Sequence, residues 1–375
     1  MSSSPSVPPA ARPFARRLEE VGSADAALVG GKAAALGELT HAGIPVPPGF
    51  VVPAETFGQV MAVVDPEESL VRAVAAVAAG DVSAIAQAAS RLRERITALP
   101  LPGDVVAQIT AAYESLAPPG SAAAATPVAV RSSATMEDSA TASFAGLQDT
   151  YLAVRGPAAV LDAVRRCWAS MYNDGSVAYR RRMALPEDGL AMGVVIQRMI
   201  RPRAAGVMFT RSPITGDRSV VAIEGTWGLG SALVSGEVNP DGFTVSKVTG
   251  EITGRRVGVK LRLHSFGPNV PGISSSAMPA GLRGRPCLTD DEARALASVG
   301  RRVEEHYGVP QDIEWALLGA RPGDDLALLH GDPADRIRLL QSRPETVWAA
   351  RERPPVATPK PRASDHVLTW LEKPL

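Results

Sequence analysis

The sequence lacks several features that point to particular classes of protein. Only two cysteines occur among its 375 residues. Cys167 and Cys287 lie far apart without the spacing of a metal site, which favours inert thiols in a reducing compartment. Lys plus Arg and Asp plus Glu both number 39, so the basic excess that is usual in nucleic-acid binders is missing. We therefore expect no nucleic-acid partner.

Long apolar runs are missing as well. No stretch approaches the ~20 apolar residues that cross a bilayer. The Ser- and Pro-rich residues 1–12 lack the apolar centre of a secretory signal. These absences predict a cytoplasmic protein that does not contact a membrane. Apolar residues make up 45% and charged residues 21% of the chain, which is typical of a globular protein.

The chain changes character along its length. We interpret residues 1–20 as a disordered lead and residues 21–127 as an N-terminal lobe that contains an Ala-rich helical segment. Residues 128–347 mix strands and helices, and residues 348–375 are rich in Pro, Lys and Arg and indicate a linker or tail. Helices followed by mixed strands and helices predict an α/β or α+β fold with more than one lobe.

Two glycines and a lysine, Gly30-Gly31-Lys32, open a helix predicted to reach residue 41. The N–H groups and the positive end of a helix attract anions, and Lys32 adds a full charge. The spacing differs from that of a P-loop. The alternative is a glycine-initiated helix with a solvated lysine, and the motif alone favours this alternative.

Arg131 ends a short apolar strand and is followed by small hydroxyl residues and the segment Ser143-Phe144-Ala145-Gly146. An arginine can bind two phosphate oxygens at once, and small residues permit close approach of a ligand. The Gly-rich turn at 225–230 has the same potential. Ordinary surface loops remain the alternative for both segments.

The segment DIEWAL (312–317) carries the sharpest pattern. Alternation places Ile313, Trp315 and Leu317 on one face of a strand, and Asp312 and Glu314 on the other. In the next predicted strand, we expect Leu339, Gln341 and Arg343 to share a face. Pairing of the strands would bring together a carboxylate and an amide oxygen suited to Mg²⁺ and a guanidinium suited to phosphate. An amphipathic hairpin with a solvated polar face is the alternative.

Seven segments occur in an order that resembles one family. They are GGKAAALGEL, VAVRSSAT, SFAGLQDTYL, GVMFTRSPITGDR, EGTWGLGSALVSGEVNPD, DIEWAL and LLQSRPET. Together they look like the nucleotide-binding module of phosphoenolpyruvate synthase and pyruvate, phosphate dikinase, which rifampin phosphotransferase and phenylphosphate synthase also carry. The resemblance covers roughly residues 22–347 and implies ATP-grasp-like lobes across residues 128–347.

The resemblance also implies roles for individual residues. ATP and Mg²⁺ would be the cofactors, with Arg131 and Arg343 as catalytic residues that contact phosphates and Glu314 and Gln341 as metal ligands. The full set implied to bind ATP is Lys32, Arg131, Phe144, Ala145, Gly146, Gln197, Met199, Thr210, Glu314, Gln341 and Arg343. Gln197 and Met199 would line the adenine pocket. Ser231 departs from the family, many members of which have Glu there.

The resemblance implies that family members with full activity use a phosphate-accepting histidine in a Thr/Ser-His-Ala context. None of the five histidines in this sequence lies in such a context. We therefore expect an ATP-dependent phosphotransferase of the paired-acceptor dikinase type that needs a separate histidine-bearing subunit and a small-molecule acceptor. Two alternatives stay open: a self-contained small-molecule kinase and a non-catalytic nucleotide-sensing protein.

Overall fold

The computed structural model describes residues 13–78, 80–135, 138–139, 142–143, 149–187, 189–267, 272–319 and 332–348. The strands are β1 Arg16–Arg17, β2 Gly49–Val52, β3 Val128–Ala134, β4 Asp138–Ser139, β5 Ala142–Ser143, β6 Thr150–Val154, β7 Met192–Arg198, β8 Ala204–Phe209, β9 Val220–Trp227, β10 Asp241–Ser246, β11 Ile252–Arg256, β12 Arg262–Ser265, β13 Ser274–Ala277, β14 Gln311–Leu317 and β15 Ile337–Pro344. The helices are α1 Ala26–Val29, α2 Gly31–His41, α3 Ala54–Val64, α4 Ser69–Ala76, α5 Val82–Ala98, α6 Gly103–Glu114, α7 Pro157–Ser170, α8 Asp174–Arg182, α9 Ser231–Val234 and α10 Asp290–Tyr307.

The first sheet has the strand order β1-β2-β7-β3-β6, with antiparallel neighbours throughout. Its two faces are covered by different helices, because apolar side chains alternate to both sides of the strands. Ile196 and Val130 point into a core shared with α3 to α8, which includes Trp168. Val195 on the opposite face packs with α1 and α2. A sheet covered on both sides explains the nearly continuous apolar runs of β3 and β7.

The second sheet has the order β11-β10-β9-β8-β14-β15 and is also antiparallel. Helix α10 packs on one face around Trp315 and Trp227, both of which are buried. The helix begins at a capping box in which Thr289 and Glu292 satisfy each other's main-chain N–H groups. It ends at Gly308, whose φ of 70° is the left-handed conformation that glycine adopts without strain. The opposite face of this sheet is left to form the site.

A close approach at Gly30 positions α2 against the first sheet. Gly30 has φ of 80°, and a Cβ there would lie 1.9 Å from the main-chain oxygen of Ser133. The N–H of Ala33 donates to the Ser133 hydroxyl at 3.1 Å. The glycine is therefore required for the start of α2 to lie beside β3.

Two parts of the predicted domain division need correction. Within the predicted disordered lead, Arg16 and Arg17 pair with β2, and Leu18 is buried. The sheet supplies partners that a short polar segment cannot reveal alone. The first sheet also joins β2 to β7, so it crosses the predicted boundary at residue 127. Of the predicted tail, Trp348 donates its indole N–H to the Pro213 oxygen at 3.0 Å.

The structure confirms a mixed α/β fold with antiparallel sheets and the Ala-rich helical segment. Helices expected at 31–41 and 289–307 are α2 and α10, and the roughly three helices expected across 67–118 are α4, α5 and α6. No helix in the described parts of the chain combines the length and apolar character needed to cross a membrane.

Candidate functional site

Arg131 links the two sheets. It projects from β3 of the first sheet, and its Nη2 donates to Glu314 Oε2 at 2.9 Å and to Gln341 Oε1 at 2.6 Å in the second. Its Nη1 donates to the main-chain oxygen of Leu340 at 2.8 Å. The Arg131 side chain is only 12% exposed. A charged group at this depth is satisfied because three oxygens surround it.

The pairing of β14 with β15 creates the acceptor side of this junction. Glu314 lies directly opposite Gln341, and Asp312 lies opposite Arg343. A β-bulge follows Glu314, where the register shifts before Trp315 pairs with Leu339. The bulge turns Leu339 into the core behind the sheet while Gln341 stays on the site face. The expectation that Leu339 shares a face with Gln341 and Arg343 was therefore wrong.

A cavity of about 370 Å³ extends from Arg131 between the two sheets. We call it the interface cavity. The described residues that line it are Ala129, Arg131, Thr150, Leu152, Gln197, Arg198, Met199, Ile200, Pro202, Ala205, Gly206, Val207, Leu229, Gly230, Ser231, Val234, Ser235, Glu314, Trp315, Ala316 and Leu340. Its volume is in the range of small-molecule sites. Arg131 and Glu314 form a charged end, Arg198 is the third charged lining residue, and most of the others are apolar. Such walls suit a ligand with a charged part and a flat apolar part.

Gln197 and Met199 lie in the wall of the cavity, as does Arg198 between them. Gln197 is buried, and its side-chain amide donates to the main-chain oxygen of Pro47 at 3.1 Å. Met199 Sδ accepts from the N–H of Ala153 at 2.9 Å. Both side chains are thus held in position by main-chain groups.

The pair formed by Asp312 and Arg343 lies further along the same two strands. Asp312 Oδ2 and Arg343 Nη2 are 3.4 Å apart, and Asp312 Oδ1 has no hydrogen-bond partner among the described residues. Burial raises the pKa of Asp312 to about 6, Arg343 opposes the rise, and the charge of Glu345 adds to it. This pair is looser than the Arg131 junction.

The remaining predicted residues are placed differently. Thr210 is fully buried, and its hydroxyl accepts from the N–H of Gln311 at 2.8 Å, so it holds β8 to β14. Lys32 lies in the first turn of α2, next to Ala33 and its contact with β3. Neither residue is among the described residues that line the interface cavity. Phe144, Ala145 and Gly146 lie outside the described residues.

The donor set at the junction fits Mg²⁺. Glu314 and Gln341 supply a carboxylate and an amide oxygen, and this ion commonly takes only one or two protein oxygens besides water and phosphate. Both oxygens accept from Arg131 in the structure. A cation held by these two side chains would lie close to the Arg131 guanidinium, and phosphate oxygens suit both positive groups at once.

A second polar group in the cavity wall was not predicted. Ser231 Oγ lies 3.0 Å from His264 Nδ1, and His264 Nε2 lies 3.3 Å from Glu237 Oε2. His264 is brought there by a bridge between its strand and Gly228. The replacement of glutamate by Ser231 was visible in the sequence, but nothing indicated the histidine, which is 33 residues away.

Residues 26–364 match the family described as pyruvate phosphate dikinase, AMP/ATP-binding domain. A rifampicin phosphotransferase of Streptomyces sp is 44% identical over 333 residues, which are 88% of this chain and 35% of that protein. A probable phosphoenolpyruvate synthase of Methanothermobacter thermautotrophicus is 40% identical over 329 residues, which are 88% of this chain and 45% of the relative.

The matched relatives are much longer than this chain, which spans less than half the length of each of these two. The residues matched to the family include all three strands of the Arg131 junction, β3, β14 and β15, and nearly all of the described fold. The chain belongs to the pyruvate phosphate dikinase AMP/ATP-binding domain family.

Proposed function

We propose that this chain binds Mg-ATP in the interface cavity as the nucleotide-binding part of a phosphotransferase. The phosphoryl group passes to a histidine on a separate subunit and then to a small-molecule acceptor, a pyruvate-, phenol- or drug-like compound. One phosphoryl group of ATP reaches the acceptor by this route, the other is transferred to water as phosphate, and AMP remains. The two-sheet arrangement is ATP-grasp-like under this proposal, and the reaction takes place in the cytoplasm.

One observation carries the proposal. Arg131 bonds both Glu314 and Gln341 at the charged end of a cavity whose other walls are mostly apolar. Phosphoryl transfer needs positioned cations rather than covalent chemistry from the protein. Arg131 supplies fixed positive charge, and Glu314 and Gln341 supply oxygens for the metal that accompanies ATP. The apolar walls suit the adenine ring.

The histidine is proposed on another subunit because of the histidines in this sequence. Within the described residues, the His264 ring contacts Ser231 and Glu237, and His306 contacts Glu38 at 2.8 Å. The third described histidine, His41, contacts the main-chain oxygen of Glu19 at 2.9 Å. None has the sequence context that the family resemblance implies for a phosphate carrier. The names of the relatives, a rifampicin phosphotransferase and a probable phosphoenolpyruvate synthase, support a small-molecule acceptor.

Calorimetric titration with ATP and Mg²⁺ tests the nucleotide site. We expect the parent protein to bind with micromolar affinity and a Glu314→Ala variant to bind roughly tenfold more weakly, because the metal loses a charged ligand. Glu305→Ala on the exposed side of α10 is the control and should bind as the parent does. No heat of binding from the well-folded parent would contradict the proposal.

A product assay separates the proposed reaction from a self-contained kinase. ATP labelled in the β-phosphate is incubated with the protein, its candidate histidine subunit and the acceptor. AMP keeps only the α-phosphate, so the label should appear in phosphate or in the phosphorylated product. Accumulation of labelled ADP that does not depend on the histidine subunit would favour direct transfer instead.

A further inference from the structure

Ser231 opens the short helix α9 and lies in the wall of the interface cavity. The proposed function gives it no task, and its side chain contacts a buried histidine. Ser231 Oγ and His264 Nδ1 are 3.0 Å apart, and His264 is only 4% exposed. The other ring nitrogen, Nε2, lies 3.3 Å from Glu237 Oε2. We call these three side chains the serine–histidine–glutamate chain.

The acceptor at one end fixes the direction of both hydrogen bonds. A hydrogen bond from the Ser235 hydroxyl, and then one from His264, lower the pKa of Glu237. An ionised carboxylate can only accept, so the proton of His264 lies on Nε2. A neutral imidazole has one N–H, and Nδ1 must then accept from the hydroxyl of Ser231.

This direction determines what Ser231 offers to a ligand. Its single proton is used on His264, so the oxygen presents only lone pairs to the cavity. Phosphate oxygens are themselves acceptors and find no partner there. A ligand hydroxyl or amino group does, and chains of hydrogen bonds make the terminal oxygen a better acceptor.

The position of Ser231 indicates which part of a nucleotide meets it. Gly230 lies against Ala205 and Gly206 on β8, and the next residue of that strand, Val207, is opposite Glu314. Ser231 is therefore near the charged end, while Leu229 and Val234 on either side of it are apolar. In a nucleotide, the group between the phosphates and the base is the sugar.

We propose that Ser231 Oγ accepts a hydrogen bond from a ribose hydroxyl of the bound nucleotide, with His264 and Glu237 as positioning residues that fix its direction. This inference rests on the proposed function, because it names the part of ATP that the site recognises. It makes the site selective for ribonucleotides.

The test compares ATP with 2′-deoxy-ATP and 3′-deoxy-ATP, each titrated with Mg²⁺ by calorimetry. The parent should bind ATP about three- to tenfold more tightly than one of the two deoxynucleotides, the range expected for one hydrogen bond. Ser231→Ala should bind that deoxynucleotide and ATP equally well. Ser231→Thr, which keeps a hydroxyl, should restore the preference.

Glu237→Lys tests the positioning role. A lysine can only donate to Nε2, so the His264 proton moves to Nδ1 and the Ser231 proton turns toward the cavity. A ribose hydroxyl can accept that proton, so the discriminating ligand is ATP with an O-methyl group in place of the recognised hydroxyl, whose oxygen only accepts. Its affinity relative to ATP should rise in Glu237→Lys, although the new charge can alter the affinity for both alike. Ser265→Ala, on the same strand as His264, should keep the preference of the parent.

The outcomes separate the inference from the proposed function. Equal binding of all three nucleotides by the parent, or an unchanged preference in Ser231→Ala, overturns the inference while ATP binding stands. A folded parent that binds none of the nucleotides overturns the proposed function and the inference with it.

Discussion

Arg131 and Arg343 are both assigned to phosphate, but the two arginines lie in different surroundings. Arg131 crosses from the first sheet to the second, is 12% exposed and donates to three oxygens. Arg343 stays within the second sheet, is 38% exposed and has Asp312 beside it at 3.4 Å. The first is a closed junction and the second is an open pair.

The difference comes from how each arginine is reached by its partners. Arg131 extends across the interface, where β14 and β15 of the second sheet present side-chain and main-chain oxygens together. Among the described residues, the Arg343 side chain pairs only with Asp312 opposite it on β14, and one oxygen of Asp312 has no partner there. A guanidinium with three acceptors on two strands is held firmly, whereas one paired with a single carboxylate can turn to a ligand at little cost.

The largest expected effect comes from removing Arg131. Arg131→Ala should weaken Mg-ATP binding by about 100-fold, because charge-assisted hydrogen bonds in a buried site each contribute on the order of 1.5–3 kcal/mol. Arg343→Ala should weaken binding by about tenfold, because water already reaches that guanidinium. Both affinities are measured by calorimetry after thermal melts have established that the variants fold.

Arg338→Ala provides the control for this comparison. Arg338 lies on β15 with Arg343 but donates to the main-chain oxygens of Asp335 and Ile337. Its loss should leave the affinity for Mg-ATP within twofold of the parent. A larger loss in Arg343→Ala than in Arg131→Ala would reverse our assignment of the closed junction as the principal phosphate contact.

The second prediction uses the same variant with the metal alone. Arg131 covers the oxygens of Glu314 and Gln341, so its removal should tighten the binding of Mn²⁺ in the absence of nucleotide by roughly fivefold, as a nearby positive charge is lost. Free Mn²⁺ is measured by electron paramagnetic resonance. Arg343→Ala should change this affinity less, and weaker Mn²⁺ binding in Arg131→Ala would contradict the covered-ligand interpretation.

Local pattern made residues on both sides of the junction candidates for the site, but only family resemblance assigned them to one nucleotide. Alternation along DIEWAL placed Asp312 and Glu314 on one face, and the strand pairing is as expected. The bulge after Glu314 could not be predicted, because a single extra residue in a strand produces no repeating pattern of apolar and polar side chains. It is the reason that Leu339 is in the core.

Contacts between distant segments were beyond local reasoning. Arg131 and Glu314 are 183 residues apart, and only the packing of the two sheets brings them together. Resemblance implied that both serve one nucleotide but not that they bond each other. Ser231 and His264 meet through a bridge at Gly228, which depends on the position of β12.

The smallest expected effect concerns the open pair and its dependence on pH. The pKa of Asp312 is about 6 in the folded protein and near its ordinary value of 3.8 in the unfolded chain. Between these values the folded state binds more protons, so this group lowers the free energy of unfolding as the pH rises from 4 to 6. Asp312→Asn cannot ionise and escapes that loss. The free energy of unfolding of the variant minus that of the parent should therefore rise by roughly 2 kcal/mol between pH 4 and pH 7, measured by urea unfolding.

Asp291→Asn, at an exposed position, should show no such rise. A constant difference between Asp312→Asn and the parent at both pH values would mean that Asp312 is as well satisfied as Glu314, and that the two arginine sites are alike.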